Sequence, residues 1–131
     1  MNIIIRNKGF TLIEMICTVA IITILSSIAI PVSLDQIRKV TDRRYLIEGK
    51  LIENAIEIYN VETPGNKIKQ GDSLSSIKVK LTGSTKKYII DWPTKIRVIE
   101  GSEEVNVESD KLDSYTIENL SLYTRKQEGK L

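Results

Sequence analysis

From Phe10 to Leu34 the chain carries one charged side chain, Glu14, in a segment otherwise built of apolar and small residues. As a helix rising 1.5 Å per residue, a run of about 25 residues reaches about 37 Å, enough to cross a bilayer with some tilt. A lone carboxylate in such a segment costs about 2.5 to 3.5 kcal/mol on insertion scales, and that cost falls only when the charge finds a partner. An ordinary secretory signal is shorter, about 7 to 15 apolar residues, and ends in a small-residue cleavage site. Ser26, Ser27 and Ala29 could supply such a site, so a cleaved secretory signal stands as the alternative to a membrane helix. Arg6 and Lys8 precede the run, and the positive-inside rule then leaves them cytoplasmic and sends the rest of the chain outward.

The stretch Lys8-Gly9-Phe10-Thr11-Leu12-Ile13-Glu14 combines a short basic leader, a small residue, an aromatic residue and the embedded glutamate. In this it resembles the processing site of type IV pilins and pseudopilins, over roughly the first third of the chain. The resemblance implies a cut by prepilin peptidase between Gly9 and Phe10, with Lys8 in the leader, and N-methylation of Phe10. It further implies assembly through Thr11 and Glu14, the carboxylate meeting the terminal amine of a neighbouring subunit. The partners implied are the peptidase, the membrane, an inner-membrane platform protein, an assembly ATPase, and copies of itself or other pilins in a helical filament. The corresponding localisation is the cytoplasmic membrane, single-pass with the C-terminal part outside, followed by an extracellular filament or pseudopilus. Pro31 matches a family proline and should kink the helix, since proline removes a backbone donor and crowds the preceding turn. Many pilins have a glycine eight residues earlier, where this chain has Thr23. Ser26 and Ser27 are expected to bond the carbonyls that Pro31 frees.

After Leu34 charges appear, yet Ile37, Val40, Ile47, Leu51, Ala55, Ile56 and Tyr59 recur at helical spacing. One helix is therefore expected from Phe10 to about Asn60, apolar all round in its first half and amphipathic in its second. Arg38, Lys39, Arg43 and Arg44 form a collar that either meets acidic headgroups or pairs with Asp35, Asp42 and Glu48 on its own helix. Gly49 is a weak point, about 1 kcal/mol worse than alanine. A turn-rich loop is expected over 61–76, with Asp72 or Ser73 capping one short helical turn.

Beyond it, Ile77, Val79 and Leu81, then Tyr88 and Ile90, Ile96 and Val98, and Val105 and Val107 alternate as in half-buried strands. Glu100-Gly101-Ser102-Glu103 reads as a hairpin loop, and Trp92-Pro93 interrupts pairing. Tyr115 to Tyr123 fits a last strand or a short helix, and the tail from Arg125 should fray. The expected organisation is thus a leader over 1–9, a transmembrane and assembly helix over 10–34, and a globular domain over 35–131 with its sheet over 77–123. The fold class is α+β, a long helix packed on a small antiparallel sheet, as the resemblance also implies.

Composition narrows the functions. The 131 residues include no histidine and a single cysteine, Cys17, so neither an internal disulfide nor the commonest general base is available. Lysine and arginine number 19 against 17 acidic residues, and the balance is even once Arg6 and Lys8 are set aside. That is no signature of a nucleic-acid protein. Lys80, Lys86 and Lys87 beside Tyr88 and Trp92 are nonetheless the candidate contacts for DNA or for another subunit, as in minor pilins of competence systems. Solvated lysines that guard strand edges are the commoner reading. The basic segment 65–97 and the acidic segment 98–118 would suit head-to-tail association. Glu103, Glu104, Glu108, Asp110 and Asp113 could be set against the calcium loop of major pseudopilins, but their spacing matches no EF-hand, and a solvated acidic hairpin is the better reading. No nucleophile elbow, phosphate loop or metal motif occurs, so no enzyme, cofactor or catalytic residue is expected. A pilus subunit, a competence or type II secretion pseudopilin, and a minor pilin that binds DNA or acts as an adhesin remain the alternatives.

Overall fold

The computed structural model describes residues 9–83 and 85–130. Helix α1 spans Leu12–Glu62 and is followed by a 3-10 turn at Pro64–Asn66, helix α2 at Leu74–Leu81, strands β1 at Lys95–Glu100 and β2 at Glu103–Glu108, a second 3-10 turn at Leu112–Ser114, and helix α3 at Ile117–Glu128. The contacts divide the chain between Val40 and Thr41 into two units. The class is α+β, as expected.

In the first unit the apolar residues of α1 are exposed from Leu12 to Leu34, and the helix is apolar and long enough to cross a membrane. Its hydroxyls turn back on their own backbone: Thr18 donates to the Glu14 carbonyl at 2.7 Å, Thr23 to Val19 at 2.7 Å, Ser27 to Ile24 at 2.7 Å and Ser33 to Ala29 at 2.9 Å. This is how a helix carries hydroxyls into hydrocarbon without leaving them unpaired. Pro31 lies inside a helix that continues on both sides of it. The carbonyl it frees is that of Ser27, four residues back. Ser27 bonds Ile24 instead, so the expected compensation is not made by that hydroxyl.

The second unit closes a core around one face of α1. Ile52, Ala55, Ile56 and Tyr59 are buried there, together with Leu74, Ile77 and Leu81 of α2, Ile96 and Val98 of β1, and Leu120 and Tyr123 of α3. The expected stripe mixed two faces, because Ile47 and Leu51 remain exposed while Gly49 is buried. Gly49 is where α3 crosses α1: a Cβ there would stand 2.9 Å from Thr124 Cγ2 and 3.3 Å from Leu120 Cδ1. The residue read as a weak point is a close-approach site.

The sheet is smaller than the 77–123 expected. Ile77, Val79 and Leu81 lie on α2, not on a strand: Ser73 caps that helix by accepting the Ser76 N–H at 3.3 Å, and Leu74, Ile77 and Leu81 are buried while Val79 is exposed. Three alternating residues fit either period, and the cap decides between them. Tyr88 and Ile90 form no strand either. Ile89 is the buried residue, Ile90 is 82% exposed, and the Tyr88 and Ile89 amides both donate to the Leu81 carbonyl. What remains is the hairpin, pairing Ile96 with Val107 and Val98 with Val105. Its loop is Gly101-Ser102, with Gly101 at φ 62°, the one positive φ among the described residues. A positive φ at the first loop position alone is the type II′ pattern, which favours glycine there.

The last segment is helical. The Thr116 amide donates to Asn119 Oδ1 at 3.0 Å, and Asn119 Nδ2 donates to the Ile99 carbonyl at 2.8 Å, so one side chain both starts α3 and fastens it to β1. The helix runs to Glu128, past the Arg125 at which fraying was expected, because Gln127 donates to Glu104 at 2.8 Å and Lys50 pairs with Glu128 at 2.6 Å.

Candidate functional site

The sequence places its candidate site at the head of α1, and the described part of it begins at Gly9. Lys8 lies outside the described residues. Gly9 is exposed with open space around its Cα, and Phe10 is 79% exposed. The Thr11 amide donates to Glu14 Oε2 at 3.1 Å, and the Glu14 amide donates to Thr11 Oγ1 at 3.3 Å. This reciprocal pair is a capping box: it satisfies two of the amides that every helix leaves unpaired at its start. The carboxylate also sits at the positive end of the helix dipole, where an anion is favoured. Thr-x-x-Glu ahead of an apolar run is the sequence signature of this local bond, which the expected assembly role of Thr11 and Glu14 did not include.

The arrangement bears on what Glu14 can do. Its side chain is exposed and turned back toward the chain that precedes α1, three residues from Thr11. A carboxylate held there by one neutral amide is ready to exchange that donor for a cationic one, which binds it more strongly.

The basic candidates are largely occupied within the chain. Lys86 Nζ lies 2.6 Å from both carboxylate oxygens of Glu62, and the Tyr88 hydroxyl donates to the same carboxylate at 2.7 Å. Lys86 first and Tyr88 second hold the Glu62 carboxyl below its ordinary range, and the same bonds raise Lys86 and Tyr88. Tyr88 also meets Tyr59 edge-on at 5.2 Å. Lys80 pairs with Asp72 at 3.7 Å, while Lys87 is exposed. Trp92 packs partly buried against the core. The expected cluster of cations and aromatic faces is therefore spent mainly on binding the 85–94 segment to the end of α1.

The charged segments are also tied inward. Glu104 takes Gln127, Lys126 at 3.5 Å and Lys130 at 3.9 Å, and Glu100 accepts the Tyr115 hydroxyl at 3.2 Å. Arg97 Nη1 lies 2.5 Å from Asp42, its Nε donates to Asn106 at 2.8 Å, and its guanidinium stacks 4.3 Å over the Tyr45 ring. Burial is the largest single influence on Arg97 and lowers its pKa, but the bond and charge of Asp42 together with Tyr123 outweigh it and the net shift is upward. Asp42 thus leaves the collar: Lys39 pairs with Asp35 and Arg44 with Glu48, as the helical-pairing reading expected. Among the described residues no three carboxylate, cysteine or histidine side chains gather to hold a metal, the 103–113 acids included.

Residues 4–30 match the family model described as the prokaryotic N-terminal methylation motif. Comparison with curated proteins and with solved structures finds no match.

Proposed function

We propose that this chain is a structural subunit of a type IV pilus or related pseudopilus, cut between Gly9 and Phe10 and polymerised through α1. The observation that carries this reading is the coincidence of two things. The methylation motif covers residues 4–30, and within it Thr11 and Glu14 form a capping box at the head of a helix fit to cross a membrane. Cleavage creates an ammonium group at Phe10, one residue before Thr11. Glu14 then has a cation to meet on an adjacent subunit, and pairing removes the charge that would otherwise oppose burial of α1 among its neighbours. The peptidase, the platform protein and the assembly ATPase are the partners this pathway needs.

The motif points to a structural rather than a catalytic protein. Within the class, the intrachain pairing of Lys80 and Lys86 favours filament building over DNA binding. A competence or secretion pseudopilin shares the same assembly chemistry.

Co-expression with a prepilin peptidase, followed by mass determination of the membrane-extracted chain, tests the reading. The expected product begins at methylated Phe10. A chain still beginning at Met1, or one cut near Ile30 as a secretory signal would be, refutes it.

A further inference from the structure

The hairpin has two edges, and the fold treats them differently. Across a two-residue loop the flanking pair, Glu100 and Glu103, exchanges both backbone bonds, so Val98 with Val105 and Ile96 with Val107 do the same. Thr94 and Ser109 extend the series, the Ser109 amide donating to the Thr94 carbonyl at 3.0 Å. The residues between them turn their backbone groups outward. On β1 that outward row is taken up in part by α3, because Asn119 Nδ2 bonds the Ile99 carbonyl at 2.8 Å. On β2 the Glu108 carbonyl accepts the Lys111 amide at 3.0 Å. The amides of Glu104, Asn106 and Glu108 and the carbonyls of Glu104 and Asn106 meet no partner among the described residues. A groove of about 500 Å³ opens beside them, lined by Val105, Val107 and Tyr115 and by the charged Glu100, Glu108 and Lys111.

An open edge is a template for another strand, and proteins guard such edges with proline, bulges, covering elements or charge. β2 has neither proline nor bulge along its register with β1. Its guard is charge of one sign: Glu103, Glu104 and Glu108 on the strand and Asp110 and Asp113 after it, with Lys111 the one cation between 98 and 118. Glu104 is drawn to Lys126 and Lys130, but among the described residues no cation pairs with Glu103, Glu108, Asp110 or Asp113. Such a guard repels its own copy, since antiparallel pairing of two β2 strands about Asn106 sets Glu104 against Glu108 at both ends. It attracts a strand of the opposite sign.

We propose that the open edge of β2 is a docking site for an extended segment of a different protein, rich in lysine or arginine, which adds as a third strand. Backbone bonds to Glu104, Asn106 and Glu108 supply the affinity, and side chains at alternate positions supply the choice of partner. Those side chains lay their aliphatic stems on Val105 and Tyr115 and carry their cations to Glu100 and Glu108. Nothing in this docking uses α1, so it is separate from polymerisation through that helix.

The test uses the full chain in an uncharged detergent and the capped peptide Thr-Lys-Val-Lys-Val-Arg-Thr, with amide exchange read residue by residue by nuclear magnetic resonance. Saturating peptide should slow exchange at Glu104, Asn106 and Glu108 by at least about tenfold and leave Val105 and Val107, already bonded across the hairpin, unchanged. Of two peptides N-methylated at alternate amides, one on the odd set and one on the even, one should lose at least about tenfold in affinity and the other keep it, because only one set faces β2. Asn106→Pro removes an outward donor without touching a hairpin bond and should also weaken binding. The pair Glu103→Gln and Glu108→Gln should weaken it while preserving the alternation. No binding, equal slowing along the whole hairpin, or equal affinity of the two N-methylated peptides overturns the proposal, the last two meaning attraction by charge alone. Slowing of the same three amides without peptide as the chain is concentrated also overturns it, the occupant then being a second copy.

Discussion

Replacing Gly49 by alanine should destabilise this protein, although the same change on an exposed helix would stabilise it. At an open position alanine gains about 1 kcal/mol over glycine. Here the new Cβ would stand 2.9 Å from Thr124 Cγ2 and 3.3 Å from Leu120 Cδ1. Leu120 can give by a few tenths of an ångström. Thr124 cannot turn its methyl away without breaking the bonds of its hydroxyl to Glu53 at 2.7 Å and to the Ser121 carbonyl at 2.9 Å, and its branched Cβ is stiff in a helix. Overpacking of this kind costs about 1 to 3 kcal/mol. Set against the propensity gain, Gly49→Ala should lose about 1 kcal/mol. Thr124→Ser alone removes one buried methyl and should lose about 0.8 kcal/mol. Together the two changes relieve each other: the alanine methyl occupies the space the threonine methyl leaves, and the double variant should return to within about 0.5 kcal/mol of the parent. That implies a coupling energy of about 1 to 2 kcal/mol, well above the scatter of independent sites. Urea unfolding of the full chain in mild detergent measures it, with Trp92, the sole tryptophan and partly buried against the core, as the fluorescent probe. If Gly49→Ala alone raises stability by about 1 kcal/mol, the close crossing of α1 and α3 is wrong.

Glu14→Gln should leave membrane insertion and peptidase cleavage intact while reducing filament number, counted by microscopy of cells that make the rest of the assembly machinery; wild-type numbers would mean that the carboxylate does not dock subunits. Arg97→Lys keeps the charge but loses the planar fork that reaches Asp42 and Asn106 while stacked on Tyr45, and urea unfolding should show a loss of about 1 to 2 kcal/mol. The Glu62 carboxyl is held low in the folded chain, so its contribution is complete above the ordinary glutamate value of 4.5 and is lost as pH falls through its lowered folded value. Protection factors of the amides in the 85–94 segment, taken relative to the intrinsic exchange rate at each pH, should fall across that acidic window, and Glu62→Gln should remove that fall. Reversing Glu103 and Glu104 to lysine tests charge-guided association: filament yield at low salt should fall, but Glu104 also holds Lys126 and Gln127, so melting of the monomer must be compared in parallel.

The sequence spoke clearly where one period ran long enough or one residue type had a single use. The apolar run that ends at Leu34 was long enough to read as a helix fit to cross a membrane, with a cleaved signal as its alternative, and Gly101 between two alternating runs read as a tight turn. It misled where runs were short. Ile77, Val79 and Leu81 satisfy a strand as well as a helix, and Ser73 settles the choice by its cap. Ile37 to Tyr59 read as one stripe because both faces of α1 are apolar, and only packing separates Ile52 from Leu51. Long-range ion pairs were out of reach: nothing in the spacing tells Asp42 to leave its helical neighbours for Arg97, 55 residues away. At the candidate site the chemistry was read from residue types, while the capping box was available in Thr11-Leu12-Ile13-Glu14 and went unused.

The back-bonded hydroxyls of α1 reach further than solvation. Once Thr18, Thr23, Ser27 and Ser33 have turned their hydrogens to their own carbonyls, that half of the helix offers neighbours little that points in a direction. Neighbouring helices would then meet this half of α1 through the shape of its apolar side chains, ridge against groove, and not through bonds between hydroxyls. Glu14 is the one charged side chain in this half of the helix, set at its head beside Thr11. On the assembly reading proposed above, the directional contact of this half of the helix is thereby left to its one charged end.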